Sequence, residues 1–189
     1  MLVRSLPRAL LAIASAAALG SIAVTASARP QWSAQTQVGV VGLGEDGKAW
    51  QRTRLDLGLK VEALYLRESP RDFGLGPYLE SRTASFRYGE YGGGLVALLP
   101  VAMTFPLWLG GGAFARREES RWAPGFNGFV AWGGRNYNYS SSYAMAFGLM
   151  LDTRVHRGDT PGVDVVLAAT IDLEALALPW IYLTSRLIH

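Results

Sequence analysis

The chain has 189 residues, half of them apolar and 22 of them glycine, enough for one domain with a substantial interior. It contains no cysteine, which excludes a disulfide framework, thiolate catalysis and a cysteine-ligated metal. The formal charge of +3 falls to +1 once Arg4 and Arg8 of a leader-like segment are set aside, so the basic balance gives no ground for a nucleic-acid partner.

Residues 1–28 have the form of a secretory signal peptide. Arg4 and Arg8 make a positive start, Ala9 to Val24 an apolar run, and Ala26-Ser27-Ala28 a small-residue cleavage site before Arg29. An uncleaved anchor helix is the other reading of the run, which is short and mostly Ala. The expected organisation is a leader over 1–28 and one domain over 29–189.

Residues 38–47, VGVVGLGEDG, satisfy the dinucleotide spacing G-x-G-x-x-G at Gly42, Gly44 and Gly47. The residues after Gly47 alternate rather than forming a helix, and Glu45 and Asp46 would repel a pyrophosphate. A hairpin with an Asp-Gly turn is the expected structure.

Residues 52–68, RTRLDLGLKVEALYLRE, alternate with period two. Arg52, Arg54, Asp56, Gly58, Lys60 and Glu62 share one face; Thr53, Leu55, Leu57, Leu59, Val61, Ala63 and Tyr65 share the other. A helix would put Leu55 and Leu57 on different sides. The same period recurs in 143–154 and 163–174, which bring Asp152, Arg154, Asp164, Asp172 and Glu174 to their polar faces.

Residues 92–115 carry no charge, and their length passes the screen for a membrane helix. Pro100, Pro106 and the glycine triplets 92–94 and 110–112 argue against one. The segment reads instead as strand Gly93–Leu99, a turn from Pro100 to Pro106 and strand Leu107–Ala115. Turn signals at Glu45-Asp46-Gly47, Ser69-Pro70-Arg71-Asp72, Ala123-Pro124-Gly125 and 158–162 separate the runs. They predict eight strands near 32–44, 49–67, 73–84, 86–99, 106–117, 125–137, 141–155 and 163–175. Residues 176–189 are left as a further strand, a short helix or a tail.

Eight alternating antiparallel strands point to closure, which removes exposed edges. Alternation does not say which face is wet, so a soluble lipid-binding barrel of the periplasm stays open. Three features favour lipid outside: stripes long enough to cross a bilayer, aromatics near strand ends, and polar faces of mixed sign. On this reading Arg52, Arg54, Asp56, Lys60, Glu62, Asp152, Arg154, Asp164, Asp172 and Glu174 form an ion-pair network in the lumen. Trp50, Tyr65, Trp108, Tyr137, Tyr139 and Tyr143 belong to an aromatic girdle.

The segments FGLGPYLE (73–80), YGGGLVALLPV (91–101) and DVVLAATIDLEALALPW (164–180) resemble those of small, eight-stranded Gram-negative outer-membrane β-barrel proteins, an uncharacterised set among them. The resemblance covers most of the chain after the leader and departs at the C-terminus, where such barrels often end on an aromatic and this chain ends Leu187-Ile188-His189. It implies an all-β, single antiparallel up-and-down barrel that spans the outer membrane, reached through a cleaved leader. Membrane lipid, lipopolysaccharide and the outer-membrane assembly machinery are its implied partners.

Some barrels of this kind modify lipid with a His and a Ser on one strand. The candidate here is His156, but Arg154 and Gly158 stand two residues either side and Ser140, Ser141 and Ser142 fall at the other end of the strand. Beside Arg157 and Asp159, His156 reads as a solvated loop residue. The tip 116–122, RREESRW, reads as a charged loop able to meet lipopolysaccharide phosphates, and 136–143, NYNYSSSY, as an interfacial aromatic belt. The expected protein is non-catalytic, needs no cofactor or metal, and serves envelope structure or surface binding with a lumen filled by side chains. A lipid-modifying enzyme of the outer leaflet is the remaining alternative.

Overall fold

A computed structural model describes residues 29–45, 48–102, 104–118, 121–139, 141–157, 161–177 and 179. Eight strands form one closed antiparallel barrel in simple sequence order: β1 Gln31–Glu45, β2 Lys48–Leu64, β3 Gly74–Ala84, β4 Tyr88–Leu99, β5 Leu107–Glu118, β6 Arg121–Arg135, β7 Ala146–His156 and β8 Gly162–Asp172. The barrel closes where β1 pairs with β8 from Gln35↔Asp172 to Gly42↔Val165. Residues 1–28, and all of 178–189 but Pro179, lie outside the described part, and with them the leader and the end of the chain.

The uncharged segment 92–115 folds as the end of β4, a connection over 100–106 and most of β5. Among the described residues no helix is long and apolar enough to cross a membrane. Four strand ends differ from expectation by three residues or more: β2 stops at Leu64 rather than 67, and three others have a visible cause. β6 begins at Arg121, because Ala123-Pro124-Gly125 is a packing device inside the strand rather than a turn. The Phe114 ring occupies the space a Cβ at Gly125 would need, and the Pro124 carbonyl accepts the amide of Arg157 at 3.0 Å. β7 starts at Ala146, since residues before it fold back on β1: the amide of Trp32 donates to Ser142 O at 2.7 Å and that of Ala144 to Trp32 O at 2.8 Å. β8 stops at Asp172, whose carboxylate accepts the Glu174 amide at 2.8 Å and caps a helical turn over 173–177.

The burial pattern is inverted relative to a soluble barrel. Charged side chains fill the interior, Asp56, Glu80, Arg82, Asp152 and Arg154 among them, while Leu79 (67% exposed), Leu149 (68%) and Phe126 (71%) stand on the outer wall. In water this arrangement would expose apolar surface all round the barrel and bury charge. In lipid the first cost vanishes, and the buried charges are compensated by pairing with one another in the lumen. The lumen is not uniformly ionic: Val96, Leu98, Trp108, Phe129 and Met150 join its apolar part on β4–β7.

Two aromatic levels bound the outer wall. On β6, Trp122 and Trp132 both face outward and stand ten residues apart. At about 3.3 Å per residue and a tilt of 35–45°, they bracket a band about 25 Å tall, the height of a barrel's lipid-facing belt. Trp122 packs on Tyr91 at one level; Trp132 and Phe147 pack on Phe105 at the other.

The two rims differ. Both ends of the described strand order, Gln31 and Asp172, lie on one rim with the connections 65–73, 100–106 and 136–145. At the opposite rim the intervals between β1 and β2, β3 and β4, β5 and β6, and β7 and β8 are shorter.

Candidate functional site

The candidate site is the polar lumen. Alternation along each strand sends every second side chain inward, and glycines on that inward row make the room. At Gly110 and Gly125 a Cβ would collide with the rings of Phe129 and Phe114, so those rings lie across the lumen. Arg154 then sits over Phe114 at 4.3 Å and Lys60 over Phe129 at 3.9 Å.

A continuous chain of ion pairs runs through the barrel. Arg82 on β3 pairs with Asp56 on β2 and, at 2.9 Å, with Asp152 on β7. Arg154 on β7 meets Asp152 at 2.7 Å, Glu80 at 2.7 Å and Glu90 at 2.8 Å. Glu90 leads to Arg116 at 2.6 Å, and Arg116 to Asp164. His156 closes this end, with Nε2 2.9 Å from Arg116 Nη1 and 3.7 Å from Asp164. A second group holds Glu62 between Lys60, at 3.1 Å, and Arg135, with Gln35 donating to the same carboxylate at 3.3 Å.

The connections of the terminal rim close over this second group. Arg67 donates to Gln31 Oε1 at 3.1 Å and faces the Tyr137 ring, and the Tyr137 hydroxyl donates to the Arg67 carbonyl at 3.2 Å. Burial, together with the like charge of Arg135, pushes the Arg67 guanidinium down to about 10, still charged at neutral pH. Burial pushes the Tyr143 phenol up to about 12, and its hydroxyl donates to Asp172 at 2.7 Å.

Of the residues expected in the lumen, Asp56, Lys60, Glu62, Asp152, Arg154, Asp164 and Asp172 are buried inside the barrel. Asp172 is held by the Tyr143 hydroxyl and the amides of Ala146 and Glu174 rather than by an arginine. Arg52 and Glu174 are not lumen residues. β2 pairs with β3 only over 56–62, so Arg52 lies beyond the end of β3, exposed, with Glu45 at 3.5 Å; Arg54, on the same stretch, is partly exposed. Glu174 is exposed because β8 has already ended.

The girdle positions divide in the same way. Trp50 is exposed on the outer wall with its ring across Gly42, Tyr65 is half-buried, and Tyr139 is exposed in the 136–145 connection. Trp108 faces the lumen, not lipid, because it shares the inward row with Phe114 and Arg116. Tyr137 and Tyr143 cap the rim through their hydroxyls. His156 is likewise no loop residue: it ends β7 facing inward and is buried. Ser140 lies outside the described residues, and Ser141 and Ser142 precede β7 at the opposite end from His156. Within the expected tip 116–122, Arg116 is a buried lumen residue, and 119–120 lie outside the described part.

Glu80, Arg82, Glu90, Arg116 and Arg135 complete the network and were not singled out from sequence. The signal existed for two of them: Glu80 and Arg82 stand two apart in GLGPYLESRTA, on the row of Gly74, Gly76 and Tyr78.

No family model matches the chain, and no curated protein sequence matches it. Two solved structures of one Yersinia pestis protein are similar to it. The crystal structure of the attachment invasion locus protein Ail, in complex with the heparin analogue sucrose octasulfate, is 11% identical with a TM-score of 0.45, over 75% of this chain and 98% of that one. The backbone structure of the outer-membrane protein Ail in a phospholipid nanodisc is 12% identical with a TM-score of 0.40, over 76% of this chain and all of that one.

Proposed function

We propose that the protein is a non-catalytic outer-membrane barrel that serves envelope structure or surface contact, with a lumen closed by its own ion pairs. The observation that carries this is Arg154, which holds Glu80, Asp152 and Glu90 from three strands of the wall at once. Such a cross-brace spends the interior on structure: eight strands leave a lumen just wide enough for side chains. The inverted burial pattern supports a lipid surround over a soluble periplasmic barrel, and the leader read over 1–28 supports export. Membrane lipid, lipopolysaccharide and the assembly machinery are the partners this reading implies.

An enzymatic reading finds little support in His156. Its ring is packed against Arg116 and Asp164 inside the wall, away from any lipid at the outer surface.

Three measurements test the proposal. Membrane-extracted protein should migrate differently with and without boiling, as closed membrane barrels do, and it should stay with membranes in carbonate. Purified protein in a planar bilayer should give no stable conductance. Release by carbonate would return the soluble reading, and steady unitary currents would overturn the closed lumen.

A further inference from the structure

We infer that the outer wall at the short-turn rim carries a site for one anionic, phosphate-bearing diacyl lipid, a site that rests on the membrane-barrel reading above. An open groove of about 600 Å³ runs there between β2, β3 and β4. Its lining is mixed: Leu57 and Leu59 from β2 are apolar, Ser81 and Thr83 from β3 bring hydroxyls, and Arg87, Tyr91 and Arg117 complete it. That volume is in the range of small-molecule sites and accommodates one headgroup with the first part of an acyl chain.

Three observations select the occupant. The groove opens on the lipid-facing wall and is continuous with the apolar band: its floor leucines belong to the row of Leu55 and Val61. Its rim lies at the level of the Tyr91–Trp122 aromatic pair, where headgroups sit. Finally, the two arginines are exposed and, among the described residues, neither is paired with a carboxylate, unlike the arginines of the lumen. The Arg117 guanidinium lies over the Trp122 ring, at 6.0 Å to its centre. Two guanidiniums at headgroup depth with no internal counter-charge are matched by a phosphate, whose oxygens accept their N–H groups in pairs. Leu57 and Leu59, continuous with the apolar band, then distinguish a lipid from free phosphate.

Native mass spectrometry of the full exported chain in neutral detergent, titrated with phosphatidylglycerol or phosphatidylcholine, tests the site. Each basic group near an anionic lipid surface contributes several-fold, so the wild type should retain one phosphatidylglycerol with roughly tenfold or greater preference. Arg87→Gln with Arg117→Gln should abolish that preference while the unboiled gel shift of the barrel persists. Arg71→Gln, an exposed charge on the opposite rim, should leave it intact. An undiminished preference in the double variant, an equal loss in Arg71→Gln, or full competition by glycerol phosphate would overturn the site. Loss of the unboiled shift in the wild type would instead overturn the membrane-barrel reading beneath it.

Discussion

Arg154 and Glu90 meet at 2.8 Å across the barrel, although their strands, β7 and β4, are not neighbours in the wall. The contact is therefore a brace across the lumen rather than a rung along one hydrogen-bonded ladder. Removing Arg154 takes from buried Glu80 its ion-pair partner and from Glu90 and Asp152 one partner each, Arg116 and Arg82 remaining. Breaking a buried ion pair from one side costs about 3–5 kcal/mol, and Arg154→Met should lose that much in urea unfolding from lipid vesicles. Adding Glu80→Gln to Arg154→Met should recover part of the loss, because it removes one uncompensated carboxylate. Simple additivity of the two changes would show that the pair is not coupled.

The glycines of the inward row make a separate prediction about packing. Gly110 lies against the Phe129 ring, which also carries Lys60 on its face. Gly110→Val should cost about 1–3 kcal/mol by overpacking, read by the same unfolding measurement. Phe129→Leu in the same chain should return part of it, since the smaller side chain leaves room. A Gly110→Val protein as stable as wild type would mean that the ring is free to move aside.

How far the lumen was legible depends on where the two faces of a strand differ. In β2 one row is charged and the other aliphatic, so Asp56, Lys60 and Glu62 could be assigned together. In β5 both rows are apolar at one end, with Trp108 on one and Leu109 on the other, and composition alone does not say which row faces in. The parity of Arg116 would have settled it, but Arg116 stands in the run RREE, which reads as a solvated tip. His156 was hidden for the same reason, beside Arg157 and Asp159. Pairing between strands decides these cases, and no single strand contains that information. Closure itself was readable because eight strands with turn signals need no long-range detail beyond their number.

A pH effect is expected outside the barrel wall, in the 65–73 connection. The Asp72 carboxylate accepts the amides of Glu68 at 2.9 Å and Ser69 at 2.6 Å. The bond from the Glu68 amide, seconded by those from Ser69, holds the carboxyl below the ordinary aspartate value of 3.8. A carboxyl lowered on folding stabilises the turn above its unfolded value, and that contribution is lost as pH falls through the folded one. Amide shifts of Glu68 and Ser69 followed by NMR in micelles should hold constant down to acid pH and then move with a midpoint below 3.8. Asp72→Asn should flatten the titration. A midpoint at or above 3.8 would show that these bonds do not persist in solution.

The tight turn between β3 and β4 sets backbone strain against membrane contact. Ser85 (φ 47°) and Phe86 (φ 58°) both occupy the left-handed region, and the Arg87 amide donates to Ala84 O at 3.0 Å, the geometry of a hairpin turn that favours Asn-Gly. Phe86 is nonetheless 80% exposed. Ser85→Asn suits the left-handed backbone and keeps the ring, so it should recover part of the about 1–2 kcal/mol that this conformation costs in unfolding from phosphatidylcholine vesicles. Phe86→Gly relieves comparable strain but gives up an apolar ring, whose full burial is worth roughly 1.5–3 kcal/mol, and should gain less or lose stability. Equal gains in the two variants would mean that Phe86 projects into water, and that the short-turn rim stands clear of the headgroups.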